Sequence, residues 1–128
     1  MKLCLIGSSR FKEQYDELNK RLTLAGHVVY SIAQVSTSAG AELPEEQKTI
    51  LDLVHLRKIQ ESEGVVLVTD ATGYYGFSTK REIMWARMLG KSLYAPDNVV
   101  DQGRSDTLAG NVWAYADGLI HYGPLSEV

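Results

Sequence analysis

Apolar positions along the chain keep two rhythms in turn. Short, nearly unbroken apolar runs at 2–6 (KLCLI), 27–31 (HVVYS), 65–69 (VVLVT) and 91–95 (KSLYA) read as strands, the third covered on both faces. Between them the spacing lengthens to that of a helix. Phe11, Tyr15, Leu18, Leu22 and Ala25 form one helical stripe, ended by Gly26 as a C′ residue would end it. Pro44 with Glu45 and Glu46 opens a second helix, which carries Ile50, Leu51, Val54 and Ile59 and reaches about residue 61. A third is predicted over 79–89, closed by Gly90. Residues 96–104 form a turn-rich connection, 105–115 a weaker helix and 118–122 a last strand. Segment 33–43 (AQVSTSAGAEL) keeps neither rhythm and reads as a flexible loop of the lid type. Alternation of strand and helix predicts an α/β fold with a parallel sheet of four to five strands and right-handed crossovers. There is no repeat or domain boundary, so 1–128 reads as one domain.

Composition narrows the possible partners. The 128 residues suffice for a core without staples, and 45% hydrophobic with 23% charged is ordinary for a globular chain. A net charge of −3 without any Lys/Arg block argues against a nucleic-acid polymer or an anionic membrane as partner, while a local nest of donors can still bind a small anion. Cys4 is the only cysteine, so an intrachain disulfide is impossible, and its place in an apolar run makes it a core residue. The first apolar run is too short for a signal-peptide core, and no stretch could span a bilayer, which leads us to expect a cytoplasmic protein. His27, His55 and His121 have no ligand spacing. Neither a metal nor an organic cofactor is expected.

Chemistry concentrates in 65–91, read as strand, glycine-containing loop and helix. Asp70 stands at the strand's carboxyl end, where such sheets deliver chemistry into a crevice, although it could equally cap its own loop. Gly73 and Gly76 permit close approach of a ligand, and Tyr74 and Tyr75 could stack on a base or simply be half-buried. Ser78 and Thr79 open the helix, whose N–H groups suit an anion. Glu82 has two readings. As part of Thr79-x-x-Glu82 it is a capping box; as a carboxylate at a pocket mouth it can attack a sugar carbon. Gly7, Ser8, Ser9 and Arg10 occupy the first strand-to-helix turn, where phosphate or sugar binds in many such folds, although Ser8 or Ser9 could be no more than an N-cap. The turn is neither a dinucleotide fingerprint nor a P-loop. His55, Arg57 and Lys58 add donors near the central strand or form a solvated helix face. Trp85, Ala86 and Leu89 read as packing, with Trp85 a candidate subunit contact.

Gly7-Ser8-Ser9-Arg10 after a strand, Asp70 with Gly73 and Gly76, and above all Glu82-Ile83-x-x-Ala86-x-x-x-Gly90-Lys91 resemble the nucleoside 2-deoxyribosyltransferase superfamily, which includes the nucleoside 5′-monophosphate N-glycosidases. The order of elements matches over nearly the whole chain, and the glutamate helix is the specific motif. The resemblance implies a flavodoxin-like (Rossmann-like) three-layer α/β fold, a small nucleoside or nucleotide substrate, and Glu82 as the nucleophile that attacks C1′. It implies Gly7, Ser8, Ser9 and Arg10 beside the base or sugar, with Ser78 and Thr79 facing the sugar or a 5′-phosphate. Tyr74 and the 33–43 loop would cover the base near Gly76, and Arg81 would add a charge-assisted bond. Sites in this superfamily are commonly completed by a neighbouring subunit, so a homodimer or higher homo-oligomer is implied. Two features depart from the pattern. Lys58 aligns where relatives carry an aspartate, so either Asp70 substitutes as the acid, or the chemistry differs, or the protein is a binder without catalysis. Thr79-Lys80-Arg81 replaces the usual small residues before the glutamate. The leading expectation is cleavage or exchange of an N-glycosidic bond. The alternatives are a non-catalytic nucleotide-binding or sensor protein of the same fold, and a glycosidase acting on a dinucleotide.

Overall fold

The computed structural model describes residues 1–32, 43–96, 100–101 and 122–128, with the backbone alone at Tyr74, Val100, Asp101 and Tyr122. Most of the expected loop at 33–43, most of the turn-rich connection at 96–104, the helix at 105–115 and most of the strand at 118–122 lie outside the described residues.

In order, the elements are β1 (Lys2–Gly7), α1 (Lys12–Leu24), β2 (Val28–Tyr30), α2 (Glu45–Glu61), β3 (Gly64–Val68), β4 (Tyr74–Tyr75), α3 (Phe77–Met88), β5 (Ser92–Ala95), β6 (Val100–Asp101) and β7 (Tyr122–Pro124), followed by one 3-10 turn (Leu125–Glu127). Five strands form an all-parallel sheet in the order β2-β1-β3-β5-β7, and β4 pairs with β6 in a small parallel ribbon. The expected α/β architecture is therefore present, with an order of flavodoxin type.

Strand alternation splits the apolar side chains into two cores. Cys4 and Ile6 of β1 share one face with Val65, Leu67, Leu93 and Ala95, and there meet Ile59 of α2 with Ile83 and Ala86 of α3. Leu3 and Leu5 share the other with Val66, Val68 and Tyr94, under Phe11, Tyr15 and Leu22 of α1. The result is three layers, and β3 is buried along its whole length, as its unbroken apolar run requires. Both α1 and α3 end in Schellman turns. Gly26 N–H donates to the Thr23 carbonyl and His27 N–H to that of Leu22, while Gly90 and Lys91 make the same pair of bonds to Arg87 and Ala86. No helix among the described residues is long and apolar enough to cross a membrane.

Helix α2 departs from its expected orientation. Ile50, Leu53 and Val54 are exposed, at 59%, 56% and 40%, and Ile59 is the buried hydrophobic of this helix. The stripe that meets the rest of the molecule runs instead through Leu51, Asp52, His55, Lys58 and Ile59. Apart from Leu51 its first half is polar, because it borders a cavity and only its last turn reaches the core. Truncating Ile59 to Ala should therefore cost about 2–5 kcal/mol by chemical denaturation, whereas Leu24→Ala, at a residue 79% exposed on α1, should stay within about 0.5 kcal/mol.

Candidate functional site

The strand order reverses between β1 and β3. From β1 the chain passes through α1 to β2 on one side, and from β3 through α3 to β5 on the other. Such a reversal opens a crevice outside the carboxyl ends of the strands. A cavity of about 610 Å³ lies at this point, walled by Gly7, Ser8 and Ser9, by α2, and by the first turns of α3.

Gly7 pairs in register with Val68. Its φ is 153°, and a Cβ there would lie 2.5 Å from the Val68 carbonyl oxygen, so glycine is required. The Tyr15 hydroxyl donates to the Gly7 carbonyl at 2.9 Å. Helix α1, on the far face of the sheet, thus fixes the strand end that borders the cavity. Burial, aided by the nearby negative charge of Glu82, pushes the Tyr15 phenol well above its ordinary range and keeps this donor protonated. The expected caps at Ser8 and Ser9 are absent: the N-cap of α1 is Phe11, and the Ser8 carbonyl accepts the Phe11 N–H at 3.1 Å.

On the other side, Asp70 turns back on its own loop. Its carboxylate accepts the Thr72 N–H at 2.9 Å and the Thr72 hydroxyl, and its carbonyl accepts the Gly73 N–H, an Asx turn. It is not on the cavity wall. Gly76, extended at φ −109° and ψ −171°, is the N-cap of α3, and no side chain caps this end. This corrects the capping-box reading. The helix begins two residues earlier than expected, so Thr79 is its third residue and Glu82 lies in the second turn. Phe77, Ser78 and Thr79 present the first, intrahelically unpaired N–H groups at the cavity.

Glu82 and His55 meet inside. The His55 Nε2 and Glu82 Oε2 are 3.4 Å apart, with side chains only 12% and 14% exposed. Neither atom has a well-aligned hydrogen-bond partner among the described residues. Lys58, almost a turn beyond His55, donates its ammonium to the Ser31 carbonyl at 2.8 Å. Asp52, almost a turn before His55, lines the cavity 3.5 Å from Arg81, whose guanidinium lies 5.0 Å from the centre of the Trp85 ring. That ion pair is well exposed and adds little stability. Lys58 supplies no acid, but Asp52 of the same helix brings a carboxylate to the cavity. Among the described residues no group of three or more His, Cys, Asp or Glu side chains could hold a metal.

The structure therefore gathers Gly7, Ser8 and Ser9 from β1 and its turn with Gly76, Ser78, Thr79, Arg81 and Glu82 from α3. Arg10 stays outside the wall, its guanidinium 5.1 Å from the centre of the Phe11 ring. The Tyr74 side chain lies outside the described set. Sequence reasoning missed Asp52, and it left His55 among solvated residues and Trp85 as packing. The signal was present in the spacing 48, 52, 55, 59, which repeats at a helical period.

No protein-family model matches the chain, and no curated protein matches it in sequence. Solved structures do. A 2-deoxyribosyltransferase from Bacillus psychrosaccharolyticus superposes with a TM-score of 0.58, covering 95% of this chain and 85% of the other at 18% identity. The chain has the deoxyribosyltransferase fold. The Clostridium botulinum CMP N-glycosidase BcmB gives 0.50, covering 98% and 90% at 17% identity. These neighbours carry names from both branches of the superfamily that the glutamate helix resembles.

Within this deoxyribosyltransferase fold, Cys4 lies on the core face beneath α2 and α3. Burial pushes its thiol from 9.0 up to about 12, with Glu82 adding to the shift and Lys58 opposing it. Above pH 9 the unfolded chain gives up this proton and the native state keeps it, so stability falls as pH rises. The unfolding free energy should drop by up to about 1.4 kcal/mol per pH unit on account of Cys4 between pH 9 and 12, with Tyr15 adding to the fall above pH 10, and Cys4→Ala should make the slope shallower.

Proposed function

We propose that the protein cleaves or exchanges the N-glycosidic bond of a nucleoside or nucleoside 5′-monophosphate, with Glu82 as nucleophile. What supports the reading is the position of that carboxylate: nearly buried, at the strand-order reversal, on a helix whose opening N–H groups share its cavity. In the first step a carboxylate oxygen forms a bond to C1′ as the C1′–N bond breaks. The electron pair goes to the departing base, which takes up a proton. Water, or an N–H nitrogen of a second base, then displaces the carboxylate from C1′ and gives up a proton, which balances the one taken up by the departing base. Ser78, Thr79 and the opening N–H groups of α3 would hold a phosphate or the sugar hydroxyls. Arg81 would add a charge-assisted bond once released from Asp52. Gly7, Ser8 and Ser9 would border the base or sugar. Asp70, occupied by its own turn, is left out.

A second copy of the chain completes the reading. Ile50, Leu53 and Val54 of α2 are exposed, as are Phe77 (82%), Met84 and Met88 (74%) of α3. Apolar exposure on two adjacent helices beside the cavity suits a homodimer or higher homo-oligomer.

Base release from a panel of nucleosides and 5′-monophosphates tests the nucleophile. Glu82→Gln should lower it by at least about 1,000-fold with little change in melting temperature, since Glu82 caps nothing. Retained nucleotide binding by both proteins with no turnover by either would instead mark a binding module of the same fold. For the assembly, Leu53→Glu with Met84→Glu should reduce the mass by light scattering to that of one chain, 14.2 kDa.

A further inference from the structure

We infer that His55 orients Glu82 for attack, donating its Nε2–H to the carboxylate oxygen Oε2 and leaving Oε1 to face the ligand. The catalytic meaning of this contact rests on the N-glycosidic reading above. A buried carboxylate oxygen needs a donor, and the other charged groups near Glu82 are turned elsewhere. Arg81 leans on Asp52 and Trp85. Lys58 is held by the Ser31 carbonyl. On β1, the Cys4 thiol points to the Leu5 carbonyl at 3.7 Å. Lys48 lies two turns back along α2 from His55. That leaves the imidazole, already 3.4 Å away and itself without a well-aligned partner among the described residues.

His55 is well placed for this task. Lys58, almost a turn beyond it, ties α2 to the residue after β2 through the Ser31 carbonyl, so the ring rests on a stretch of helix fastened there. The 3.4 Å separation is long for a hydrogen bond, and catalytic bonds of this kind commonly tighten when ligand binds. An imidazole N–H aimed at Oε2 fixes the carboxylate rotamer and leaves Oε1 open to the ligand. The negative charge remains available at Oε1 until the C1′–O bond forms, and the same donor receives the carboxylate back when that bond breaks. His55 is thus a positioning residue, and its effect belongs in kcat.

Steady-state kinetics with melting curves test this on wild type, His55→Ala and His55→Gln. His55→Ala should lower kcat about 100-fold with KM within about threefold. His55→Gln, whose amide N–H can reach the same oxygen, should recover most of the loss. Nitrogen NMR of the ring reads the contact without turnover: wild type should hold the Nε2–H tautomer, and Glu82→Ala should release it into a mixture. A proton held on Nδ1 in wild type, or a kcat for folded His55→Ala within threefold of wild type, overturns the inference. If wild type releases no base from any substrate, the functional reading fails, and the ring tautomer alone decides whether His55 holds Glu82.

Discussion

The closeness of β1 to β3 at Gly7 is the constraint on which the rest of the cavity depends. No side chain fits there, because a Cβ would meet the Val68 carbonyl oxygen. Only a bare backbone lets the two central strands stay paired to their ends, and only then does the turn bearing Ser8 and Ser9 leave beside α3. Tyr15 completes the arrangement from the opposite layer by holding the Gly7 carbonyl. The cavity wall is thus anchored in both cores at once, and a disturbance under α1 is transmitted to a site that α1 does not line.

The second feature that shapes the site is the uneven use of α2. A helix laid on a sheet normally buries an apolar stripe along its length. Here only the last turn does so, through Ile59, while the preceding turns show Asp52, His55 and Lys58 to the cavity. Packing energy is given up along most of one face in exchange for polar groups held on regular helix. The core is carried by β1, β3, β5, α1 and α3, whose buried side chains form the two clusters. Violations of the packing pattern of this kind are expected at functional sites.

Much of the architecture was legible in the sequence because it rests on rules of short range. Unbroken apolar runs marked β1, β3 and β5, and Gly26 and Gly90 marked helix ends that proved to be Schellman turns. β2 is shorter than its run, since an edge strand is held on one side only. The start of α3 was misjudged because Ser78 and Thr79 read as the opening residues, whereas Gly76 is the N-cap and Phe77 stands exposed as the first residue of the helix. The facing of α2 was misjudged because periodicity reveals that stripes exist and not which one meets the sheet. Glu82 and the Gly7, Ser8 and Ser9 turn border the cavity, as their places between strand and helix suggested. Asp70 does not, because spacing fixes where a strand-end carboxylate starts and leaves open whether it turns into the crevice or back to its own loop. The partnership of His55 with Glu82 joins residues on two helices, and no local pattern encodes a distance between helices.

The connections at the two ends of the sheet differ in kind. At the end away from the cavity, helices return to strands through two or three residues (25–27, 62–63 and 89–91), two of these turns locked by glycine and backbone hydrogen bonds. At the cavity end, strands lead to helices through the longer stretches 8–11, 31–44 and 69–76. One end of the molecule therefore leaves almost no room for insertion or deletion, and the other accommodates both without disturbing strand register. Evolution can remodel what the cavity accepts while the scaffold beneath it stays fixed, which is how a single fold comes to serve both a transferase and a glycosidase at under one-fifth identity to this chain.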